Sequence, residues 1–468
     1  MTMYDYITYY ADNNQNIALQ DSKGCLSYKE FKSCINNCIS YFFYEVCKPK
    51  SVVILNTKQR RKWVVSFFSL LSLDCIIVPV PDEVTSNELI KIQEETGAVA
   101  TISDSDLELQ YMNTVYGDSI IPYQSEGNGG IYHLTSGSTG IRKYCKRTET
   151  GLVAEGLRYK HTLRIQKEDK ILAVAPIYHS FSLGAACFAA LVSGATLCVT
   201  ERFVPREVLW TAYRGQVTIM ILVPAMARLL YKTRTSAEVN LSSVRLVLAG
   251  AGVITEETFA GFRNKFGINL SSNYGSTETG GIITRVGGDS CSSIGKPMIT
   301  TEIKIVDDIT ESSLCRTTLT EGELWVKAEG MFTGYLNELK PPFDAEGYMP
   351  MGDYVRMDET GNIYFLGRKK TIINIGGKKV SPPEVEQVLR SVPGVCDCVV
   401  TATIKMSGAE AIKAYITGQG ITEEEIRRYC SAKLPMYKCP SIIKFVSSIP
   451  RNELGKVQYF KLEETTNA

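Results

Sequence analysis

The sequence predicts an α/β protein: a large N-terminal domain of doubly wound α/β subdomains plus a small β-barrel, then a small α+β C-terminal domain. Three observations predict it. The 468 residues are too many for one hydrophobic core, so two or more domains are expected. From Ser51 to Phe266, short β-branched runs alternate with helical patterns, the mark of a parallel sheet covered on both faces. After about Gly281 the chain turns to short alternating segments between polar turns, and after Gly367 to a compact mixture of helix and strand.

Taken in order, Val52–Leu55 reads as a strand, Lys62–Leu73 as a helix and Cys75–Val80 as a strand ending at Pro81. Glu88–Thr96 is helical and Ala98–Ser103 extended. Ile171–Thr200 contains no Asp, Glu, Lys or Arg, but Pro176, His179, Gly184 and Gly194 interrupt it. A membrane span tolerates these poorly. A buried β-α-β unit fits better, with strand Ile171–Ala175, a helix from about Ser182 to Val192 and strand Ala195–Thr200. Val217–Val223 is a strand stopped by Pro224, followed by helix Ala225–Tyr231 and strand Val244–Leu248. Helix Thr255–Phe266 has Thr255 as its N-cap and Glu257 in its first turn. Thr301–Val306, Gly322–Ala328 and Asn362–Leu366 suggest an antiparallel or barrel-like portion. The last part reads as helix Pro383–Arg390, strands Cys398–Thr403 and Ile412–Thr417, helix Glu423–Lys433 and strand Ile442–Phe445. A boundary near Arg368–Lys370 divides the chain into residues 1–368 and 369–468.

Composition narrows the function. A net charge of +1 gives no polyanion-binding surface, which argues against nucleic acid as the main partner. The 14 cysteines are scattered, and the closest pair, Cys396 and Cys398, is not a C-x-x-C. They suit small buried residues of a reduced, cytoplasmic protein. The start, Met1-Thr2-Met3-Tyr4-Asp5-Tyr6, has no basic and apolar leader pattern, so neither a signal peptide nor a membrane partner is expected.

Chemistry concentrates in glycine-flanked turns. Thr135-Ser136-Gly137-Ser138-Thr139-Gly140-Ile141-Arg142-Lys143 offers hydroxyls, backbone N–H groups and two cations. Such a loop makes an anion nest suited to a polyphosphate. It lacks the Walker order G-x-x-x-x-G-K-[ST], which excludes a P-loop kinase. A plain Ser/Gly linker remains the alternative for the loop alone. Asn273-Tyr274-Gly275-Ser276-Thr277-Glu278 places an aromatic, hydroxyls and a carboxylate in one turn. Tyr274 could stack on a purine, Thr277 could bond a phosphate oxygen, and Glu278 could bind Mg²⁺ beside substrate phosphates. The alternative is a strand-end turn capped by threonine. Asp353 follows Gly352 at an expected turn, with its carboxylate open to ribose hydroxyls or to an Asx-turn. Arg368-Lys369-Lys370 and Lys378-Lys379 flank Gly376-Gly377. Cation runs are usually solvated faces, which the glycines and β-branched residues here disfavour.

The order T-S-G-S-T-G-x-x-K resembles the phosphate loop of the adenylate-forming enzymes: acyl- and aryl-CoA synthetases, luciferases and peptide-synthetase adenylation domains. The other turns fall in that family's order along essentially the whole chain, closest to its stand-alone acyl- or aryl-acid ligases. The resemblance implies ATP, Mg²⁺ and a thiol acceptor, either coenzyme A or a carrier-protein phosphopantetheine. It implies that Thr135, Ser136, Gly137, Ser138, Thr139, Gly140 and Lys143 hold phosphate. Gly250, Ala251 and Gly252 would cradle adenine with Asn273, Tyr274 and Gly275. Thr277 and Glu278 would serve phosphate and metal, and Asp353 and Arg368 the ribose. Gly376 and Gly377 would line the pantetheine tunnel. Lys456, in Pro450-Arg451-Asn452-Glu453-Leu454-Gly455-Lys456, would be the adenylation lysine on a mobile C-terminal domain hinged at Lys370.

His179 resembles the gate of acyl- and aryl-CoA ligases, with a structural histidine as its alternative. The region around it, with Phe181, Leu183, Ala225, Met226, Gly250, Gly275 and Gly280, would make a largely apolar pocket for an aryl or fatty acid. No acid stands there to hold an α-ammonium. Arg142 and Met351 occupy places where the family usually has proline and threonine. Besides the CoA ligase, the resemblance leaves a stand-alone enzyme loading a carrier protein and a catalytically silent nucleotide-binding protein.

Overall fold

The computed structural model describes residues 1–13, 16–104, 125–136, 142–236, 238–306, 320–338, 342–375, 378–404, 410–451, 457 and 462, without the side chains of residues 136, 370, 374 and 379. The chain forms two compact units, residues 1–302 with 327–343 and residues 303–326 with 344–468.

The first unit holds two sheets. The nine-stranded sheet runs in the order 296–297, 280–285, 270–276, 246–250, 219–222, 170–173, 196–199, 17–21, 24–27. Its middle strands are parallel: 219–222 pairs with both 246–250 and 170–173, and 246–250 pairs with 270–276. Ile219 and Ile221 enter one hydrophobic core while Met220 and Leu222 enter another on the opposite face. Successive strand residues point to opposite faces, so this strand is buried on both sides. The uncharged run 171–200 forms the expected β-α-β unit. Strands Lys170–Ala173 and Thr196–Val199 pair in parallel across a helical stretch from Ser180 to Ser193. Gly194 ends that stretch with a φ of 71°. No helix among the described residues is long and apolar enough to cross a membrane.

The six-stranded sheet runs 334–335, 142–148, 130–136, 76–79, 52–56, 100–103. Helix Arg60–Ser72 is buried almost all round. Trp63, Phe67 and Phe68 share one core with strand residues from both sheets, including Val53, Ile77, Ile171 and Leu197. Each such side chain contributes about 1.5–3 kcal/mol by leaving water. Elements not read from the sequence include the helices Met3–Asn13, Tyr28–Tyr41, Glu149–Thr162 and Pro205–Gly215, the hairpin Gly130–Ser136/Arg142–Thr148 and the strands Ile17–Asp21, Leu270–Ser276, Gly280–Arg285 and Met349–Met357.

The second unit is built on a four-stranded sheet, 301–306, 321–328, 349–357, 363–368, antiparallel across its last three strands. It continues through a 3₁₀ turn Lys369–Thr371 and a hairpin Ile373–Ile375/Lys378–Val380. Its three-stranded sheet, 395–404, 410–418, 442–445, packs with helices Pro382–Arg390 and Glu423–Lys433.

Candidate functional site

In the first unit, parallel strands 170–173, 219–222, 246–250 and 270–276 end along one edge of the sheet. Open α/β sheets bind ligands outside the carboxyl ends of their strands. The segments leaving that edge carry His179 and Phe181, Pro224, Gly250–Gly252, and Thr277–Glu278. The short turn Ser180–Ser182 packs on strands 270–276 and 280–285. Phe181 lies across Gly250, where an added Cβ would stand 2.7 Å from the ring. Ala251 follows with a φ of 62° and is exposed, as is Gly252.

Strand Leu270–Ser276 turns through Thr277–Thr279 into Gly280–Arg285. The hydroxyl that closes the turn belongs to Thr279, which accepts the Ser276 N–H at 3.0 Å. The Thr277 hydroxyl has no hydrogen-bond partner among the described residues, and Tyr274, Thr277 and Glu278 are all half-buried. A polar group beneath the hairpin was not found from sequence. Arg147 and Glu155 form an ion pair at 2.8 Å, their side chains 1% and 0% exposed. Glu155 Oε1 also accepts the Gly281 N–H at 3.2 Å. Arg158 donates to the Gly281 carbonyl at 2.8 Å, and Tyr159 donates to Asn273 Oδ1 at 3.1 Å. Glu155, Arg158 and Tyr159 stand at i, i+3 and i+4 on helix Glu149–Thr162, a polar stripe that the sequence does display.

The segment expected to hold phosphate begins and ends in antiparallel pairing, with Thr135 opposite Lys143 and Ser136 opposite Arg142. Gly137, Ser138, Thr139, Gly140 and Ile141 lie outside the described residues. Thr135 Oγ1 donates to the Lys143 carbonyl at 3.3 Å. Lys143 Nζ lies 2.5 Å from Glu338 Oε1 and 4.6 Å from the Tyr335 ring centroid. The Tyr335 hydroxyl donates to Glu278 Oε1 at 2.8 Å. The loop's lysine and the candidate metal carboxylate are thus joined through one tyrosine. Arg142 pairs with Glu88 at 3.0 Å. Glu88 also completes the capping box of helix Ser86–Thr96, so Arg142 ties the hairpin to that helix. His133, in the same hairpin, is buried with Nε2 2.7 Å from the Tyr178 carbonyl. Burial lowers its pKa to about 3, so its ring is neutral. The hairpin is thereby fixed to the segment carrying His179, whose ring lies 4.6 Å from that of Tyr178.

Glu278 fits the donor chemistry of Mg²⁺, which takes one or two carboxylates and completes its shell with substrate phosphates and water. No cluster of three or more His, Cys, Asp or Glu occurs among the described residues. Of the expected apolar pocket, Leu183 belongs to the core instead. Gly275 and Gly280 crowd each other across their own hairpin.

In the second unit Asp353 is not at a turn, contrary to the sequence expectation. It lies inside strand Met349–Met357, where Gly352 has a φ of 66° and the register to strand 321–328 shifts. The local bulge aims a side chain that regular pairing would leave elsewhere. Asp353 sits opposite Arg368 on the next strand and pairs with its Nε at 3.0 Å. The carboxylate is 2% exposed while the arginine is 61% exposed. The two residues expected at ribose are therefore neighbours. Lys370 lies in the 3₁₀ turn Lys369–Thr371. Gly376, Gly377 and Lys456 lie outside the described residues. Their flanks are the pair Ile375 and Lys378 and a bridge between Arg451 and Val457.

Known proteins resemble this chain over both of its parts. The family described as AMP-binding enzyme matches residues 131–336, and its C-terminal domain matches residues 384–456. The putative acyl–CoA ligase YdaB of Bacillus subtilis (strain 168) is 30% identical over 344 residues, 71% of this chain and 67% of that protein. The 4-coumarate–CoA ligase 1 of Petroselinum crispum is 29% identical over 344 residues, 69% of this chain and 62% of that protein. The match therefore spans about two thirds of these relatives' length. ATP-bound MatB from Rhodopseudomonas palustris has the same fold, with a TM-score of 0.88, 20% identity and 99% of each chain covered. With Gly250–Gly252 and Thr277–Glu278 at the carboxyl edge of a parallel sheet and both parts of the family matched in order, the chain belongs to the AMP-binding enzyme family.

Proposed function

We propose that this protein is an ATP-dependent acid–thiol ligase. A carboxylate attacks the α-phosphate of ATP, giving acyl-AMP and pyrophosphate. A thiol then attacks the acyl carbon and AMP leaves. The observation that carries this reading is the joining of Lys143, at the base of the phosphate loop, to Glu278 through Tyr335. An acid–thiol ligase brings two anions together, so positive charge must be placed around the phosphates. Lys143 and the phosphate-loop N–H groups supply it from the first unit. Mg²⁺, held by Glu278, would neutralise phosphate charge when bound. The Thr277 hydroxyl would donate to a phosphate oxygen, and Tyr274 would stack on adenine beside Gly250, Ala251, Gly252, Asn273 and Gly275. Asp353 would accept the ribose hydroxyls beside its partner Arg368.

Lys456 would serve adenylation and Gly376–Gly377 the thiol step, with residues 369–468 moving about Lys370 between the halves. The acid is aryl or fatty. His179 would close its pocket, and Phe181 over Gly250 would form an apolar wall. Coenzyme A is the proposed acceptor, as in the named ligases. A carrier-protein phosphopantetheine is the second candidate, and incubation with coenzyme A alone separates the two.

The test is exchange of labelled pyrophosphate into ATP with a panel of aryl, fatty and amino acids. Exchange that requires an aryl or fatty acid supports the reading. ATP binding without exchange for any acid would leave a silent nucleotide-binding protein in its place.

A further inference from the structure

We propose that Tyr335 is a positioning residue shared by the two charged groups that meet ATP: its ring face carries Lys143 and its hydroxyl aims the Glu278 carboxylate. The assignment rests on the ligase reading above and deepens it.

Tyr335 is half-buried and held by several contacts. Its backbone pairs with Cys145 on the phosphate-loop hairpin. Phe332 packs edge-on against its ring, with centroids 4.9 Å apart at 69°. Phe332 in turn contacts Phe343, and the Phe332 N–H donates to the Glu278 carbonyl at 2.7 Å. Lys143 Nζ stands 4.6 Å from the ring centroid. The hydroxyl can reach Glu278 Oε1 at 2.8 Å because the ring is fixed at this angle.

This geometry separates two tasks. The hydroxyl engages one carboxylate oxygen of Glu278 and so would orient the carboxylate that holds Mg²⁺. The ring holds an ammonium beside the phosphate loop without neutralising it, as a quadrupole attracts a cation but adds no charge. Glu338 pairs with Lys143 at 2.5 Å, a counter-charge that the phosphates of ATP would replace. Residues 334–338 thus link metal and phosphate affinity, although no part of them belongs to a glycine-rich turn.

The test compares Tyr335→Phe, which keeps the ring and loses the hydroxyl, with Tyr335→Leu, which loses both. ATP binding is measured by calorimetry in EDTA and at graded Mg²⁺, and pyrophosphate exchange is titrated with Mg²⁺. Tyr335→Phe is expected to raise the Mg²⁺ concentration for half-maximal exchange by about ten-fold, the effect of losing a hydrogen bond to a charged group. Its ATP affinity in EDTA should stay within about two-fold. Tyr335→Leu should show the same Mg²⁺ shift and also weaken metal-free ATP binding by about two- to five-fold. If Tyr335→Leu does not fold, the Mg²⁺-specific shift in Tyr335→Phe alone carries the assignment. An unchanged Mg²⁺ requirement in Tyr335→Phe, or equal losses with and without Mg²⁺, overturns it while leaving the ligase reading intact. Absence of ATP binding by the unmodified protein overturns both.

Discussion

Replacing Glu155 by glutamine tests whether the nucleotide-side hairpin depends on the buried charge beneath it. The side chain keeps its shape, and an amide oxygen can still accept the Gly281 N–H. What disappears is the negative charge facing Arg147, whose side chain is 1% exposed. Arg147 keeps only the Gly330 carbonyl through Nη2, and its Nε already lacks a hydrogen-bond partner among the described residues. Removing one partner of such a pair strands a desolvated charge and costs about 3–5 kcal/mol. The protein also has no room to relax around it, since Gly184 and Gly280 both abut the Glu155 carboxylate. At about 1.4 kcal/mol per tenfold, the opening equilibrium of residues 276–285 should rise at least a hundred-fold. Hydrogen exchange followed by mass spectrometry on peptides from this hairpin reads that directly. Replacing both partners, Arg147→Met with Glu155→Leu, should restore part of the protection, because neither member of the pair is then left charged without the other. A change of less than tenfold in Glu155→Gln, or a double variant worse than the single, would refute the reasoning.

Other outcomes follow from the same geometry. Gly250→Ala pushes a methyl group into Phe181 and should cost about 1–3 kcal/mol in denaturant unfolding. Adding Phe181→Leu should recover at least half of that cost. His133 has a folded-state pKa of about 3, below its ordinary value, so the unfolded chain takes up the proton first as pH falls. Its contribution is full above about pH 6.5 and reaches a loss of about 2 kcal/mol at pH 5. A His133→Gln variant should lack that part of the acid sensitivity in unfolding measured between pH 5 and 7. Lys456→Ala should lower adenylation by about two to three orders of magnitude and largely spare thioester formation from supplied acyl-AMP. Equal loss in both half-reactions would reject a role confined to adenylation.

Local signals carried much of the fold. Helix Glu423–Lys433 and strand Ile442–Phe445 coincide with their sequence expectations because a Thr422/Glu425 capping box starts the helix. Thr255 caps its helix by accepting the Thr258 N–H, as its position suggests. The buried β-α-β unit was legible because its length and glycines exclude a membrane helix. The bulge before Asp353 was not legible, because it is set by pairing with strand 321–328. Residues far apart in sequence must meet before that register exists. Arg142 looked like stray charge near phosphate until its partner, Glu88, came beside it. Tyr335 and Glu338 escaped notice for the same reason: neither lies in a recognisable turn, and both act on residues distant in the chain.

The most direct measurement of the central claim follows oxygen. With an ¹⁸O-labelled aryl or fatty carboxylate, ATP and coenzyme A, attack on the α-phosphate predicts one labelled oxygen in each AMP released, with pyrophosphate unlabelled. Label in orthophosphate alongside ADP, or AMP carrying none, would contradict it.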